Sequence, residues 1–519
     1  MTRSNQLVTG QKNSTQPKKS FFKRFWYIWL FLGVGLIIFI ISAISGIQND
    51  LGRNNSLKSN AHNDIGKNNS LKYNKRVIKT FTPESGAAFK YNSPTLVDDF
   101  LYLGTSSKVS YEGDHEAVVA VLPDNYFYKM DLDFNIIWKY QFEKKMIAGG
   151  ATLDSQGNIY FVTEAITANN NTADKDSFFL VTLNLVSLTN DGTFRWQKPI
   201  SVENDKLDHG MFNCAVGTDD TIYVGHDRFY AFDTEGNIKW QYPDSDKKII
   251  GFSSSPIIDS AGFVYFISPQ PIEKTQDYNP EVIRAYKFNP ASNVPVWSTV
   301  LGNEIRDNEG GNANGGGGQR ANSVFSTPAF GVGERNLFAI AGCTISKVDT
   351  QSGQLLWSTK PEGASGHFNA SPAIDENDNL YVGTKSNMES KFYAIKSDGT
   401  LLWKRDIGAD MYTSPLLGDD NTVYAGSETL KDGKFHALDM KTGKTKWVIG
   451  GDNEAKIPDF SHGSMLLYKG YVYIGVHSVT DAGGRDEALF KIKVDANGYL
   501  PGAAWPRFHG SNANNGRKQ

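Results

Sequence analysis

SPAIDENDNLYVGTKSNMESKFYAIKSDGTLLW (Ser371–Trp403) and SPLLGDDNTVYAGSETLKDGKFHALDMKTGKTKW (Ser414–Trp447) are two copies of one pattern. Each opens on Ser-Pro and a short apolar run, then turns through Asp, Asn or Gly into a Tyr-Val-Gly or Tyr-Ala-Gly run. A third, alternating run follows, then a Gly turn, then a run ending at Trp. Four short apolar runs separated by turn chemistry predict one four-stranded antiparallel sheet. Pro is tolerated because it begins a strand. Small residues at the opening let the first strands of neighbouring units crowd together.

The pattern extends in both directions. Related openings stand at Ser93-Pro94, Ser255-Pro256 and Thr327-Pro328, and looser ones at Gly149-Gly150, His209-Gly210 and His462-Gly463. Eight tryptophans mark the unit ends: Trp138, Trp196, Trp240, Trp297, Trp357, Trp403, Trp447 and Trp505, spaced by 58, 44, 57, 60, 46, 44 and 58 residues. A minimum period near 44 predicts propeller blades. Each Trp is expected to pack between neighbouring blades. Length alone suggests roughly three domains, but a closed ring absorbs it as one.

The composition agrees. The chain is 39 % apolar and 12 % aromatic, enough for a core. Its 50 Gly show no G-X-Y period and fit many tight turns. Two Cys, Cys214 and Cys343, exclude a disulfide framework and a thiolate zinc cluster, and are expected as free buried thiols in strands of different units. Asp154 in DSQGN, Asp233 in DTEGN and Asp375 in DENDN lack the full calcium-loop ligand set and read as turn formers.

The N-terminus differs from the rest. Phe25 to Ile47, FWYIWLFLGVGLIIFIISAISGI, has 23 residues without a charge, where a spanning helix needs about 20. Trp26, Tyr27 and Trp29 stand where an aromatic belt lies, and the basic flank places residues 1–24 in the cytoplasm. NDLGRNNSLKSN (Asn49–Asn60) and NDIGKNNSLKYN (Asn63–Asn74) form a polar tandem copy that reads as a stalk. The expected organisation is therefore a cytoplasmic basic tail, 1–24; a transmembrane helix, 25–47; a low-complexity stalk, 48–88; and the propeller, 89–516. Residues 1–25 carry six cations and no acid, and residues 48–80 carry seven Lys/Arg against Asp50 and Asp64. The overall charge of −3 thus leaves −14 on residues 81–519. That balance disfavours a nucleic-acid partner, whose phosphates need Lys and Arg.

The repeat resembles the pyrroloquinoline-quinone-type (PQQ-like) β-propeller family. Ala437, Asp439, Gly443, Lys444 and Trp447 match its Ala-x-Asp-x-x-x-Gly-Lys-x-x-Trp docking pattern in full. Looser copies are Asp349, Gly353 and Trp357; Ala231, Asp233, Gly236 and Trp240; and Ala394, Gly399 and Trp403. WPRFHGSNANNG (Trp505–Gly516) is similar to a segment found near propeller closure in that family. The resemblance covers roughly residues 89–516. It implies an all-β, eight-bladed propeller of four-stranded antiparallel blades, here preceded by one transmembrane helix. Residues 77–90 are expected to meet the C-terminal segment and remove the open edges of the ring.

Fold does not decide function. The resemblance implies two branches. The quinoprotein dehydrogenases commonly use a vicinal disulfide and a calcium held by Glu, Asn and Asp. Cys214 and Cys343 are 129 residues apart, and no such ligand trio can be matched. The non-enzymatic branch is similar to the outer-membrane β-barrel assembly factor B. The expectation is a membrane-anchored, non-catalytic scaffold with its propeller on the extracytoplasmic side and no cofactor. Its partner is a protein or envelope polymer reached through propeller-face loops. The alternative is a membrane-bound quinoprotein dehydrogenase of alcohols or sugars, using PQQ and calcium. A ligand sensor signalling through Met1–Arg24 is a third reading. His209, His367 and His462 near unit openings are candidate metal ligands at the channel mouth, weighed against simple bonding to loop backbone. GGNANGGGG (Gly310–Gly318) lacks the ending and the helix of a phosphate loop and reads as a flexible loop. With Thr163–Phe178 and Pro269–Pro280 it is a candidate partner contact.

Overall fold

The structure, a computed structural model, describes residues 74–83, 87–89, 92–106, 110–112, 119–121, 125–168, 179–204, 213–226, 228–243, 254–271, 281–301, 326–364, 368–385, 390–428, 433–450, 459–460, 463–477 and 488–518. All belong to the unit Asp64–Gln519. Residues 1–73, with the expected membrane helix, lie outside that set. Among the described residues no helix is long and apolar enough to cross a membrane.

Eight antiparallel sheets follow one another along the chain. Blade 6 shows the plan: an inner strand Ala373–Ile374, then Leu380–Gly383, Lys391–Ile395 and the outer strand Leu401–Asp406. Strands alternate in direction within a blade and between blades. Inner-to-second and third-to-outer connections therefore share one face, and all other connections share the opposite face. Apart from the C-terminal segment and the start of the outer strand of the last blade, the first face carries only tight turns, among them residues 154–158, 233–237, 375–379 and 396–400. The second face receives every long connection.

The turn aspartates act locally. Asp375 Oδ1 accepts from the backbone N–H groups of Asn377 and Asn379, both at 2.8 Å, and its Oδ2 from Asn379 Nδ2 and Tyr381 OH. Asp154 repeats the pattern with Gln156, Asn158 and Tyr160, and Asp233 with Glu235 and Asn237. These are Asx-type turns whose donors come from the turn itself.

Seven tryptophans sit on outer strands. In every blade the register slips by one residue just before the Trp position, as between Ala437 and Leu438 opposite Trp447. Such a bulge re-aims the side chain, here onto the next blade. Six of the indole N–H groups then donate to that blade's third-to-outer turn: Trp138 to Asn190 O at 2.9 Å, Trp196 to Thr234 O, Trp240 to Pro290 O, Trp297 to Thr350 O, Trp357 to Ser397 O and Trp403 to Met440 O at 2.8 Å. The ring lies flat on the turn glycine where there is one. At Gly443, with φ +68°, a Cβ would come within 2.5 Å of Trp403 Cε3. Lysines on third strands reach the same carbonyls, as Lys347 Nζ does at Ser397 O and Lys287 Nζ at Thr350 O.

The eighth unit departs from expectation in three ways. Its outer strand is Val77–Phe81, which pairs with Ala488–Lys493 and closes the ring. That strand falls inside the 48–88 stretch read as stalk. Its expected meeting with the C-terminal end of the ring is present. Trp505 is not an outer-strand residue. Lys79 holds the Trp position, opposite Lys491, and the dock onto the blade 1 turn is ionic, beside a seam packed by Phe81, Phe134 and Tyr473. Lys491 Nζ bonds Asp133 Oδ1 at 2.8 Å and Leu132 O at 3.0 Å. That contact, with Lys79 nearby, holds the Asp133 carboxyl below its usual range. On the other side, Trp447 donates to Asp495 Oδ2 at 2.6 Å, and Arg76 lies 4.2 Å over the Trp447 ring while pairing with Asp495 at 3.1 Å.

Two loops are shorter than expected. Thr163–Ala168 belongs to the ten-residue strand Ile159–Ala168, paired through to Phe179–Leu188. Pro269–Pro271 ends the strand Val264–Pro271. Its prolines are tolerated because the inner strand Ile257–Ile258 pairs only with Val264 and Tyr265, which leaves the far end with one neighbour. Cys214 is buried, but Cys343 lies in the turn between Asn336–Ala341 and Thr344–Asp349 and is only half-buried.

Candidate functional site

The axis is built from unit openings. The Ser of each Ser-Pro does more than save space. Ser371 Oγ accepts the backbone N–H of Thr327 in the preceding blade at 2.8 Å, and Ser414 Oγ that of Ser371 at 2.9 Å. Ser93 Oγ accepts from Ser464 N at 2.9 Å, which carries the ring across the closure. Asn213 takes this part in blade 3, accepting from Gly150 N and passing its own N–H to Ser255 Oγ. Backbone N–H groups at the crowded centre, which no strand ladder reaches, are satisfied in this way.

The C-terminal segment then crosses the turn-side mouth and touches all eight blades. Leu96 N donates to Asn512 O, Val216 N to Asn515 O, Ile258 N to Gly516 O, Ile374 N to Trp505 O and Leu417 N to Pro506 O. Asn514 Nδ2 reaches Ala151 O, and Asn512 Nδ2 reaches Leu467 O. Blade 5 meets it edge to face, Phe330 against Trp505 with centroids 5.4 Å apart. Trp505, Arg507, Phe508, His509 and Asn514 are all buried.

Three of these residues are polar and were not singled out from sequence. Arg507 is fully buried. Its Nη1 donates to Ser511 O at 2.6 Å, while Nε and Nη2 have no partner. Burial depresses its pKa, and Tyr499 opposes that. Both ring nitrogens of His509 face carbonyls, Pro256 O at 2.7 Å and Asn514 O at 2.8 Å. Burial lowers its pKa to about 4, helped by Arg507 and opposed by those carbonyls. The neutral ring has one N–H and donates to one of the two. Asn514 ties Ala151 to Asn213. The one available signal was a stretch rich in Asn, Gly and Ser, with Arg and His, that breaks the repeat.

His209, His367 and His462 lie outside the described residues, as does Gly310–Gly318. The strand ends that flank these segments, and those that flank the two other candidate loops, all lie at the loop-side face. Among the described residues no group of three or more His, Cys, Asp or Glu could hold a metal. The cofactor set of the alternative reading needs calcium ligands and a stacking platform. The first strand of each blade carries no charged residue, while Lys145 and Asp459 stand on the short strands Lys145–Ile147 and Asp459–Phe460 that extend the same edge in blades 2 and 8. Trp505 is packed edge-on in the core, and the two cysteines belong to blades 3 and 5. The described residues supply no set of calcium ligands.

Residues 341–486 match a family model described as outer membrane protein assembly factor BamB. BamB from Moraxella catarrhalis is 15 % identical over 80 % of this chain and 100 % of that one, with a TM-score of 0.45. A europium-containing methanol dehydrogenase is 13 % identical over 80 % of this chain and 87 % of that one, with a TM-score of 0.52. No curated protein matches the sequence. At these identities the likeness to solved structures is one of fold. Ring, repeat and family match define the class, a β-propeller built from docked four-stranded blades. Within that class, residues 341–486 are similar to the PQQ-like repeat of the matched family.

Proposed function

We propose that this protein is a membrane-tethered, non-catalytic scaffold that holds a protein partner on the loop-side face of its propeller. One observation carries the reading. The turn-side face is built from short self-bonded turns and is plugged by the chain's own C-terminal segment, whereas every long connection leaves the opposite face. A rigid ring presenting variable loops on one side is a binding architecture. The apolar stretch Phe25–Ile47 supplies the tether, with residues 1–24 in the cytoplasm and the propeller outside. The description of the matched family, an assembly factor, agrees with a scaffold.

The test places photo-crosslinking residues at Asn170 and Tyr278 in loop-side connections, and at Ser292 and Gln351 in turn-side ones, in native membranes. Adducts to one protein from the loop-side sites alone support the reading. Equal adducts from both faces, or quinone-dependent dye reduction by protein given PQQ and calcium, overturn it. Retention in a carbonate-washed membrane pellet, lost on deleting residues 25–47, tests the tether separately.

A further inference from the structure

The guanidinium of Arg507 stands apart from every other cation described. It is completely buried in the axial segment, and the N–H groups left without a partner, Nε and Nη2, lie side by side on one edge of the group. That edge is the fork that binds a carboxylate through two parallel hydrogen bonds. A buried charge is costly unless it is paired, and the surrounding sequence supplies no pair. Residues 496–518 contain no Asp or Glu, and the first strand of each blade carries no charge, Lys145 and Asp459 standing on the short strands that extend the same edge. Tyr499 faces Arg507, but its hydroxyl is already engaged with Asn512 Oδ1 at 2.6 Å and Leu467 N at 3.0 Å. His509, the other titratable neighbour, is held neutral at pH 7 by burial and by Arg507 itself.

Further unpaired oxygens lie at or beside the inner strands. Ser326 and Ser464 open the inner strands of blades 5 and 8, Thr152 lies in that of blade 2, and each hydroxyl lacks a partner. Buried hydroxyls are rarely left so, and each can donate to an oxyanion.

We propose that the Nε–Nη2 edge of Arg507 binds a small monocarboxylate inside the propeller axis. The planar fork selects two coplanar oxygens over a spherical halide, and the crowded axis selects a small molecule. The site is independent of the scaffold reading, because it uses neither the loops nor the tether.

The experiment uses the purified full chain. Its thermal midpoint is followed as sodium acetate or formate replaces sodium chloride at constant ionic strength and pH 7.5. A saturating rise of a few degrees is expected with the carboxylates alone, since a ligand that binds only the folded state stabilises it. Arg507→Met should abolish the rise, and Arg507→Lys, which keeps the charge without the fork, should weaken it at least tenfold in half-saturating concentration. Should either variant not fold, 13C-formate NMR on the native chain decides. A protein-bound resonance displaced by unlabelled acetate and not by chloride supports the site. Equal midpoints in chloride and acetate, no bound resonance, or a carboxylate effect that survives Arg507→Met would each mean that water alone solvates the guanidinium and would overturn the proposal.

Discussion

Substituting Gly443 by Ala should test how the blades are joined. Gly443 lies at φ +68° in the turn of blade 7, directly beneath the Trp403 indole. An L-residue held in that region costs about 1–2 kcal/mol. Its Cβ would also stand 2.5 Å from Trp403 Cε3 and 2.7 Å from Cδ2, about 1 Å inside normal carbon contact. Relief needs movement of a ring that is itself tied by its N–H to Met440 O. Overpacking of that kind costs about 1–3 kcal/mol, so the total is roughly 2–5 kcal/mol. Gly408 supplies the control, with φ +67° and nothing within 4 Å of its would-be Cβ. Gly408→Ala should carry the backbone cost alone, about 1–2 kcal/mol. Both changes restrict the unfolded chain equally, so their difference isolates the dock. Urea midpoints of the two variants, with Trp403→Ala alone and combined with Gly443→Ala, measure it. The double variant should fall short of the sum by about 1–3 kcal/mol, because removing the ring removes the clash. Equal costs for Gly443→Ala and Gly408→Ala, with strict additivity, would refute the docking argument.

Stability should fall on acidification between pH 6.5 and about 4. Burial lowers the pKa of both His436 and His509 to about 4 in the folded state. The unfolded chain therefore binds more protons through that window, and each histidine contributes about 3 kcal/mol that is present above pH 6.5 and lost as pH drops. His509→Gln should reduce the dependence of unfolding free energy on pH by about one proton, and an unchanged slope would count against a buried neutral ring. Deleting residues 74–81 should lower the thermal midpoint and produce oligomers by size exclusion. It exposes the edge of Ala488–Lys493 and removes the buried Val77 and Phe81, worth about 1.5–3 kcal/mol each; a monomer of unchanged midpoint would show that the latch contributes nothing. N-ethylmaleimide should label Cys343 first and Cys214 only on unfolding, because burial pushes the Cys214 thiol up and screens it. Mass spectrometry of the time course reads the order.

Much of this was legible from residues alone. Seven Trp positions, the glycines beneath them and the Asp turns follow local rules, so Gly443 and Trp403 announce a turn and a dock without any coordinates. Lys79 could not be read that way. It fills the eighth Trp position only because Val77–Phe81 pairs with a strand more than 400 residues away, and nothing local marks a lysine as the counterpart of an indole. Trp505 was misplaced for the same reason. Its spacing of 58 residues fits the repeat, but its backbone pairs with Ile374 on the inner strand of blade 6. Thr163–Ala168 reads as loop from the polar run that follows it, while its pairing with Phe179–Asn184 makes it strand.

The class of fold, the number of units and an uncharged stretch long enough to span a membrane are all legible in the residues alone. Those properties live in periodicity and composition, which are short-range. How the ring closes, which face carries the loops, and the plugging of the axis by Trp505–Gly516 emerge only in three dimensions. These depend on contacts between residues hundreds of positions apart, where chemistry is set by neighbours in space. Arg507 shows the difference. In the sequence it is one basic residue among many, and in the fold it is a buried guanidinium with two unpartnered nitrogens and no acid in the segment around it.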